Sequence, residues 1–357
     1  MRLEEFAKRR SRRNELIKKY LLVVLFLLPF IASFLMFFLW PLIYGIHIST
    51  TDFTYSKPGQ EVWNNFKWYE MIFVGKANRS SIKIHEAFWR SFMHSFVFAI
   101  IMVPIAVIVP LLLANLVHIK PPGFKLFRAL IYMPSIVPLT AAGTIFALLF
   151  MPVQQHGLLA ELFPGLGPTE WFVATWFKFN IGEFTIDVAW GWIPIFLMCF
   201  WGGWGGNFII LSAGLENVPT SLYQAASIDG CGRFKQLMHV TIPGIKGQLV
   251  LCLFTTIIGY LGLYGQNYVL STGGPAFTTL ATMPGGGKTS TIIYFIQDIV
   301  ANNNNFKEKL YGLGAAASLV YALMVGIISG IQMWATREKK SGTKLMKEYQ
   351  QWQMSQR

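Results

Sequence analysis

The sequence predicts an all-α integral membrane protein built around six transmembrane helices. Three observations carry this. Hydrophobic residues make up 54% of the 357 residues while charged residues make up only 13%, about half the share usual in a soluble domain. The apolar residues fall into six long runs, at 21–46, 91–117, 129–150, 188–211, 248–269 and 311–336. None of those runs contains an Asp, Glu, Lys or Arg.

Each run exceeds the roughly 20 residues needed to cross a hydrocarbon core of about 30 Å. Short alternating segments, the pattern of an outer-membrane barrel, are not the dominant feature. The first run follows a basic segment, as a signal peptide would. It is too long for such a peptide's apolar region and ends in Trp40, Pro41 and Tyr44 rather than at a small-residue cleavage site, so it reads as a retained helix. Domain organisation follows from the runs: a basic amphipathic N-terminus at 1–20, a six-helix membrane domain at 21–336 and a polar C-terminal tail at 337–357.

Charge orients the bundle. With six spans both termini lie on one side, together with segments 118–128 and 212–247. That side holds 20 of the 30 basic residues and 7 of the 17 acidic ones, so the whole formal net charge of +13 sits there. Basic residues near span ends are retained in the cytoplasm, which places both termini and the 213–245 loop inside the cell. The same asymmetry excludes nucleic acid as the partner of the positive charge. The block from Lys8 to Arg13 reads as a topology signal that also meets anionic membrane lipid.

Proton-driven carriers use intramembrane carboxylates, histidines or arginines, and within the six runs only His94 titrates near neutrality. The work of transport must come from outside the bundle. A passage without charge also suits a neutral solute. Trp190, Trp192, Trp201, Trp204, Tyr260, Tyr264, Gln266 and Asn267 offer aromatic faces and neutral hydrogen-bonding groups, which match the C–H faces and hydroxyls of a carbohydrate. The competing reading of these aromatics is bundle packing or an interfacial belt. Phe200, Gly203, Thr256 and Tyr260, on the spans flanking the 213–245 loop, are candidates for the passage by helix position alone.

Cys199, Cys231 and Cys252 have no CxxC spacing, so neither a disulfide framework nor a metal site is expected and they read as packing residues. Pro284 to Ser290, PGGGKTS, imitates a phosphate-binding loop, but Thr282 stands where the first glycine is required, so no nucleotide site is expected. His85-Glu86 begins an HExxH pattern that fails at Trp89. No catalytic residues are expected. Gly202 and Gly206 make a small-xxx-small pair that serves either packing within the chain or contact with a partner. The 271–310 segment, with Asn302 to Asn305 in a row, reads as a mobile polar loop outside the cell.

Between the fourth and fifth runs the pattern sharpens. Ser221 followed by Gln224 forms a capping box that would start a helix, continued by Leu222, Ala225, Ala226 and Ile228. Gly230 and Gly232 would end it. A second short amphipathic segment, Phe234 to Val240, would follow, and Pro243 would open the next span. Small Ala225 and Ala226 allow a partner to approach closely, and Asp229 offers an acceptor at the turn.

This segment resembles the EAA loop of permeases in binding-protein-dependent ABC importers. Gln224, Ala225, Ala226 and Gly230 match its first half, and Val240, Ile242 and Pro243 its end. PLIYGIHISTTDF after the first run, FRALIYMP from Phe127, VLSTGGPAFTT from Val269 and YGLGAAASLV from Tyr311 resemble landmarks of the maltose-type and other carbohydrate permeases.

The resemblance implies a type I importer permease bundle in a bacterial plasma (inner) membrane. Its partners would be a second homologous permease, two cytoplasmic ATPase subunits and an extracytoplasmic solute-binding protein. ATP and magnesium would be held by the ATPases and no cofactor by this chain. Tyr223, Gln224, Ala225, Ala226, Asp229, Gly230 and Pro243 would form the ATPase-coupling site, and the cargo would be a sugar or oligosaccharide. Gln224 stands where the family usually has Glu, and Cys231 where Ala is usual, so the charge that would meet an ATPase arginine is missing. An ABC permease for another polar solute, such as a polyamine or phosphate ester, would need charge in the spans. An ATP-independent channel or secondary carrier would leave the coupling loop unexplained.

Overall fold

The computed structural model describes residues 2–53, 59, 61–75, 79–151, 157–163, 165, 171, 174–181, 184–271, 287–301 and 310–336. They form two compact units, residues 1–69 with 310–316, and residues 70–309 with 317–357.

In the first unit, α1 (Arg2–Phe34) runs through a π turn at Leu35–Leu39 into α2 (Trp40–Ser49), with no break between Tyr20 and Leu21. Pro29 lies inside the helix, and the Ser33 hydroxyl donates to its carbonyl at 2.8 Å. The most apolar part of the stretch Lys18–Ser49 buries no residue, and Phe30, Phe34 and Phe38 stack in turn along the exposed helix. Beyond Ser49 the chain turns, and the Trp68 indole N–H donates to the Thr51 carbonyl at 3.1 Å. Helix α3 (Lys67–Phe73) begins there. Gly312 sits where a Cβ would come 2.9 Å from that same Thr51 carbonyl, which fixes the start of α16 (Tyr311–Thr336).

The second unit is organised by α4 (Arg79–His118). Its buried positions Ser95, Phe98, Ala99, Met102, Val103, Ala106 and Val107 recur at three- and four-residue spacing, the seam of a helix with one packed face. Ile100, Ile108, Leu112 and Leu116 point outward and are exposed. Next come α5 (Phe124–Tyr132), a 3₁₀ turn at Met133–Ile136 and α6 (Leu139–Leu149). Val137 precedes Pro138 and adopts the extended conformation that a residue before proline favours. The two helices therefore meet at an 88° bend.

A short α7 (Leu158–Leu162) leads to a hairpin of β1 (Thr175–Ile181) and β2 (Phe184–Ala189), paired antiparallel with Lys178 opposite Asp187. The hairpin adds strands to the expected all-helical architecture and moves the start of the fourth span from 188 to Trp192. Helices α8 (Trp192–Gly203) and α9 (Gly205–Glu216) continue one line of chain through Trp204.

After α9 come α10 (Thr220–Ile228), α11 (Arg233–Gln236), a π turn at Leu237–Thr241 and α12 (Ile242–Gly244). Then follow α13 (Lys246–Leu261), α14 (Gly265–Ser271) and α15 (Ile292–Ala301). The line Arg233–Gly244 meets α13 at 78°. Pro243 therefore does not open the fifth span. It lies in the first turn of α12, and the corner comes at Ile245, which is fully buried with φ −109°. The fifth span also stops early, at Leu261 rather than 269, because the chain breaks at Gly262 before α14.

Among the described residues four helices are long and apolar enough to cross a membrane, and the count reaches six when each bent pair is taken as one span. Two apolar clusters stand out among the described residues. One centres on Phe98, Met102, Ile195, Met198, Cys199 and Tyr260, the other on Leu111, Phe208, Leu211, Leu215, Ile245 and Cys252. Cys199 and Cys252 are packing residues of these clusters, and all three cysteines are free thiols.

The 271–310 segment is only partly a loop. Residues 287–301 are described, and Thr289, Ser290 and Thr291 are buried. The Thr291 hydroxyl donates to the Leu263 carbonyl at 2.6 Å, and the Ile292 N–H donates to Ser95 Oγ at 3.0 Å. Four residues of α15, Ile292, Tyr294, Phe295 and Ile299, are buried. The Asn302–Asn305 run and the 337–357 tail lie outside the described residues.

Candidate coupling site and solute passage

The coupling site starts where α9 ends. Val218 is buried, and Gly244 approaches it so closely that a Cβ would stand 3.0 Å from Val218 Cγ2. Pro219 takes the N-terminal cap of α10 with ψ 129°, without a side-chain cap. The expected Ser221–Gln224 capping box is absent. Proline presets the φ that leads into a helix, so α10 begins at Thr220 and Ser221 already lies in its first turn.

Helix α10 buries no residue. Gln224 and Ala225 are exposed and Ala226 is half-buried. The helix ends with the Asp229 N–H donating to the Ala225 carbonyl at 3.0 Å and the Cys231 N–H to the Ala226 carbonyl at 2.8 Å. Gly230 has φ +73°, the left-handed conformation that glycine adopts at least cost. The chain then returns through α11 beside α10.

The base of this pair is fixed. The Tyr223 hydroxyl and Thr241 Oγ1 share a hydrogen bond at 3.1 Å, Thr241 and Leu237 are buried, and the Tyr223 ring lies 6.1 Å from that of His118. Gln236 Nε2 donates to Ser227 Oγ and to the Cys231 carbonyl, each at 3.0 Å, which ties the two helices across the turn. Beyond these ties the tip is bare and apolar. Ile228 is 86% exposed and Phe234 70%, with Leu222 and Met238 also exposed. Such a patch on a hydrogen-bonded frame is built to be covered by another surface.

The candidate passage residues are brought together on α8 and α13. Phe200 is exposed at the edge and packs edge-on against Trp204 at 4.5 Å. Gly203 leaves a gap in which a Cβ would lie 2.6 Å from the Tyr260 hydroxyl. Thr256 Oγ1 accepts from Asn207 Nδ2 at 2.9 Å, and the same amide donates to the Ala106 carbonyl at 2.7 Å. That network was not anticipated. Asn207 lies at the C-terminal end of WGGWGGN, where the glycines drew the reading.

Gly202 and Gly206 have no side chain within van der Waals reach of a would-be Cβ. Gly205 between them is the close contact, seated on Ser135 and Tyr132. Asn267 is committed to anchoring the later segment, donating to the Thr289 carbonyl at 2.6 Å. Trp190 and Trp192 are packing residues, against Trp171 and His94 respectively. No cluster of His, Cys, Asp and Glu able to hold a metal occurs among the described residues.

Known proteins resemble this chain over most of its length. Over 316 residues the chain is 29% identical to the arabinooligosaccharides transport system permease protein AraP of Bacillus subtilis (strain 168), covering 87% of this chain and 86% of the relative. It is 28% identical over 322 residues to the lactose transport system permease protein LacF of Rhizobium radiobacter, covering 88% and 94%.

Among solved structures, a chain of a bacterial ABC transporter involved in the import of the acidic polysaccharide alginate superposes with a TM-score of 0.64. The identity is 18%, over 91% of this chain and 98% of that one. The same transporter in complex with an alginate pentasaccharide-bound periplasmic protein also gives 0.64. The fold is thus that of a type I importer permease, a transport subunit and not an enzyme. Residues 83–340 match the family model for the binding-protein-dependent transport system inner membrane component, and the chain belongs to that family.

Proposed function

We propose that this permease forms half of the passage for a neutral sugar or oligosaccharide, driven by ATP hydrolysis on separate subunits that seat on α10. The observation that carries the coupling role is the bare apolar tip at Ile228 and Phe234 on a base fixed by Tyr223 and Thr241. Burying that tip in a cleft of an ATPase removes apolar surface from water at roughly 25 cal/mol per Å². Tyr223, Gln224, Ala225, Ala226, Asp229 and Gly230 form the docking helix and its turn, and Pro243 lies on the return line that leads to α13.

With Gln in place of Glu at 224, docking rests on shape and apolar contact rather than on an ion pair. Both termini and the 213–245 loop face the cytoplasm in this reading, in a bacterial inner membrane. The partners are a second permease, two ATPases carrying ATP and magnesium, and an external solute-binding protein. The relatives' names, arabinooligosaccharides and lactose, support a carbohydrate cargo, as does the periplasmic protein in the complex of the alginate transporter.

At the passage, the Tyr260 hydroxyl is seated directly against Gly203, where a Cβ would come within 2.6 Å of it. The buried Trp204 indole N–H lacks an acceptor. Phe200 beside them supplies an aromatic face. Thr256 lies behind, held by Asn207. A neutral polyol can satisfy these groups without bringing charge into the spans.

The test is purification of the tagged chain from its membrane with its partners, followed by ATPase measurements with sugar-loaded binding protein. Recovery of a second permease and an ATPase, with stimulation lost on altering Ala225 and Gly230, is expected. A chain that comes alone and still transports overturns the reading. Gly203→Ala tests the passage separately. Its methyl group meets the Tyr260 hydroxyl, so sugar-stimulated uptake should fall by roughly tenfold while the ATPase still co-purifies.

A further inference from the structure

We propose that the recess between α5 and α9 holds the headgroup of an anionic phospholipid. A cavity of about 440 Å³ lies between these helices, with Lys125, Arg128 and Glu216 at its rim, Tyr132 and Phe208 on its apolar wall and Ser212 between. A second recess of about 210 Å³ shares Arg128, Ser212 and Glu216 and adds His118 and Lys120. The two adjoin through those shared residues and make one amphipathic hollow.

Its charge is unbalanced. Arg128 and Glu216 form an ion pair at 2.6 Å. Lys120 and Lys125 make no ion pair among the described residues. An independent sign of a missing partner comes from Ser212, which is 6% exposed and whose hydroxyl has no hydrogen-bond partner. A buried hydroxyl left unpaired is costly, and a phosphate oxygen seated in the hollow would accept from it.

The surroundings select a lipid over a soluble anion. Leu126, Leu130 and Met133 of the α5 line and the turn after it are exposed, so the apolar wall of the hollow continues onto surface suited to acyl chains. Basic pockets between transmembrane helices on the cytoplasmic side are suited to anionic headgroups. In the proposed orientation the 118–128 segment lies at that face, so the lipid site rests on that orientation. Its test is separate, because coupling is read from ATPase stimulation and lipid retention from mass.

The experiment is native mass spectrometry of the whole transporter, titrated in mixed micelles with phosphatidylglycerol, phosphatidylcholine or inorganic phosphate. The unaltered complex should retain phosphatidylglycerol selectively. Lys120→Gln combined with Lys125→Gln, which leaves the Arg128–Glu216 pair intact, should weaken retention by roughly tenfold or more. Should that double variant fail to assemble, Ser212→Ala leaves every charge in place and should weaken retention by about threefold. Equal retention by the altered and unaltered complexes overturns the proposal. So does displacement of the lipid by inorganic phosphate, which would make the hollow a soluble-anion site, or an assembled complex in which a partner subunit shields the hollow and no lipid is held.

Discussion

Helices α10 and α15 are nearly the same length, 9 and 10 residues, and both stand beside the long spans. One buries nothing, while the other buries Ile292, Tyr294, Phe295 and Ile299. Helix α15 is also tied at its start, through Thr291 to the Leu263 carbonyl and through its first amide to Ser95. Helix α10 is held by Tyr223 and by the Gln236 side chain of α11. A short helix is marginal without tertiary packing. The fold itself supplies that packing for α15. For α10 it supplies a frame and leaves the apolar side exposed.

Four substitutions would sharpen or break that contrast. Phe295→Ala removes a fully buried ring packed edge-on against Phe88 at 5.8 Å and should destabilise the protein by about 3–5 kcal/mol, read as a lower unfolding temperature in detergent. Asn267→Leu deletes the donor to the Thr289 carbonyl. Loss of that hydrogen bond should cost about 0.5–1.5 kcal/mol, and proteolysis should become faster near residues 287–291.

Gly230→Ala forces a side chain into a left-handed turn at φ +73°, a local cost of about 1–2 kcal/mol. Its main readout is reduced ATPase stimulation in an assembled complex. Ile228→Ala removes a side chain that touches almost nothing in this chain and should change stability by no more than about 0.5 kcal/mol, yet weaken ATPase binding. A large stability loss from Ile228→Ala would show that α10 is packed within its own fold and would end the comparison.

The long apolar runs made the bundle legible, because lipid imposes a length that few soluble segments reach. The same criterion hid what lies below that length. Segment 292–301 is apolar but only 10 residues long, so length alone assigns it to a loop. The hairpin carried its own signal, with Phe177, Phe179 and Ile181 alternating before Gly182-Glu183 and Phe184, Ile186 and Val188 after it, a two-residue connection with glycine first.

The bends were less accessible. Pro138 marks the first, but Pro243 points two residues short of the second, whose corner is set by burial of Ile245. At the coupling loop the position of α10 and its glycine turn was readable from spacing. The cap was not, because Pro219 and Ser221 compete for the same helix start. The passage candidates were chosen by helix position, and spacing gave no hint that Asn207 would bind Thr256 or that Gly203 would seat the Tyr260 hydroxyl.

The 78° corner at Ile245 gives the chain the geometry of a bell crank. Phe234 lies 11 residues before the corner and Thr256 11 after it. The pivot itself is seated among Val107, Leu111, Phe208 and Leu211. Were the two arms to turn as one rigid body about this pivot, a swing of the exposed tip would be carried, turned through nearly a right angle, to Thr256 and one turn beyond to Tyr260.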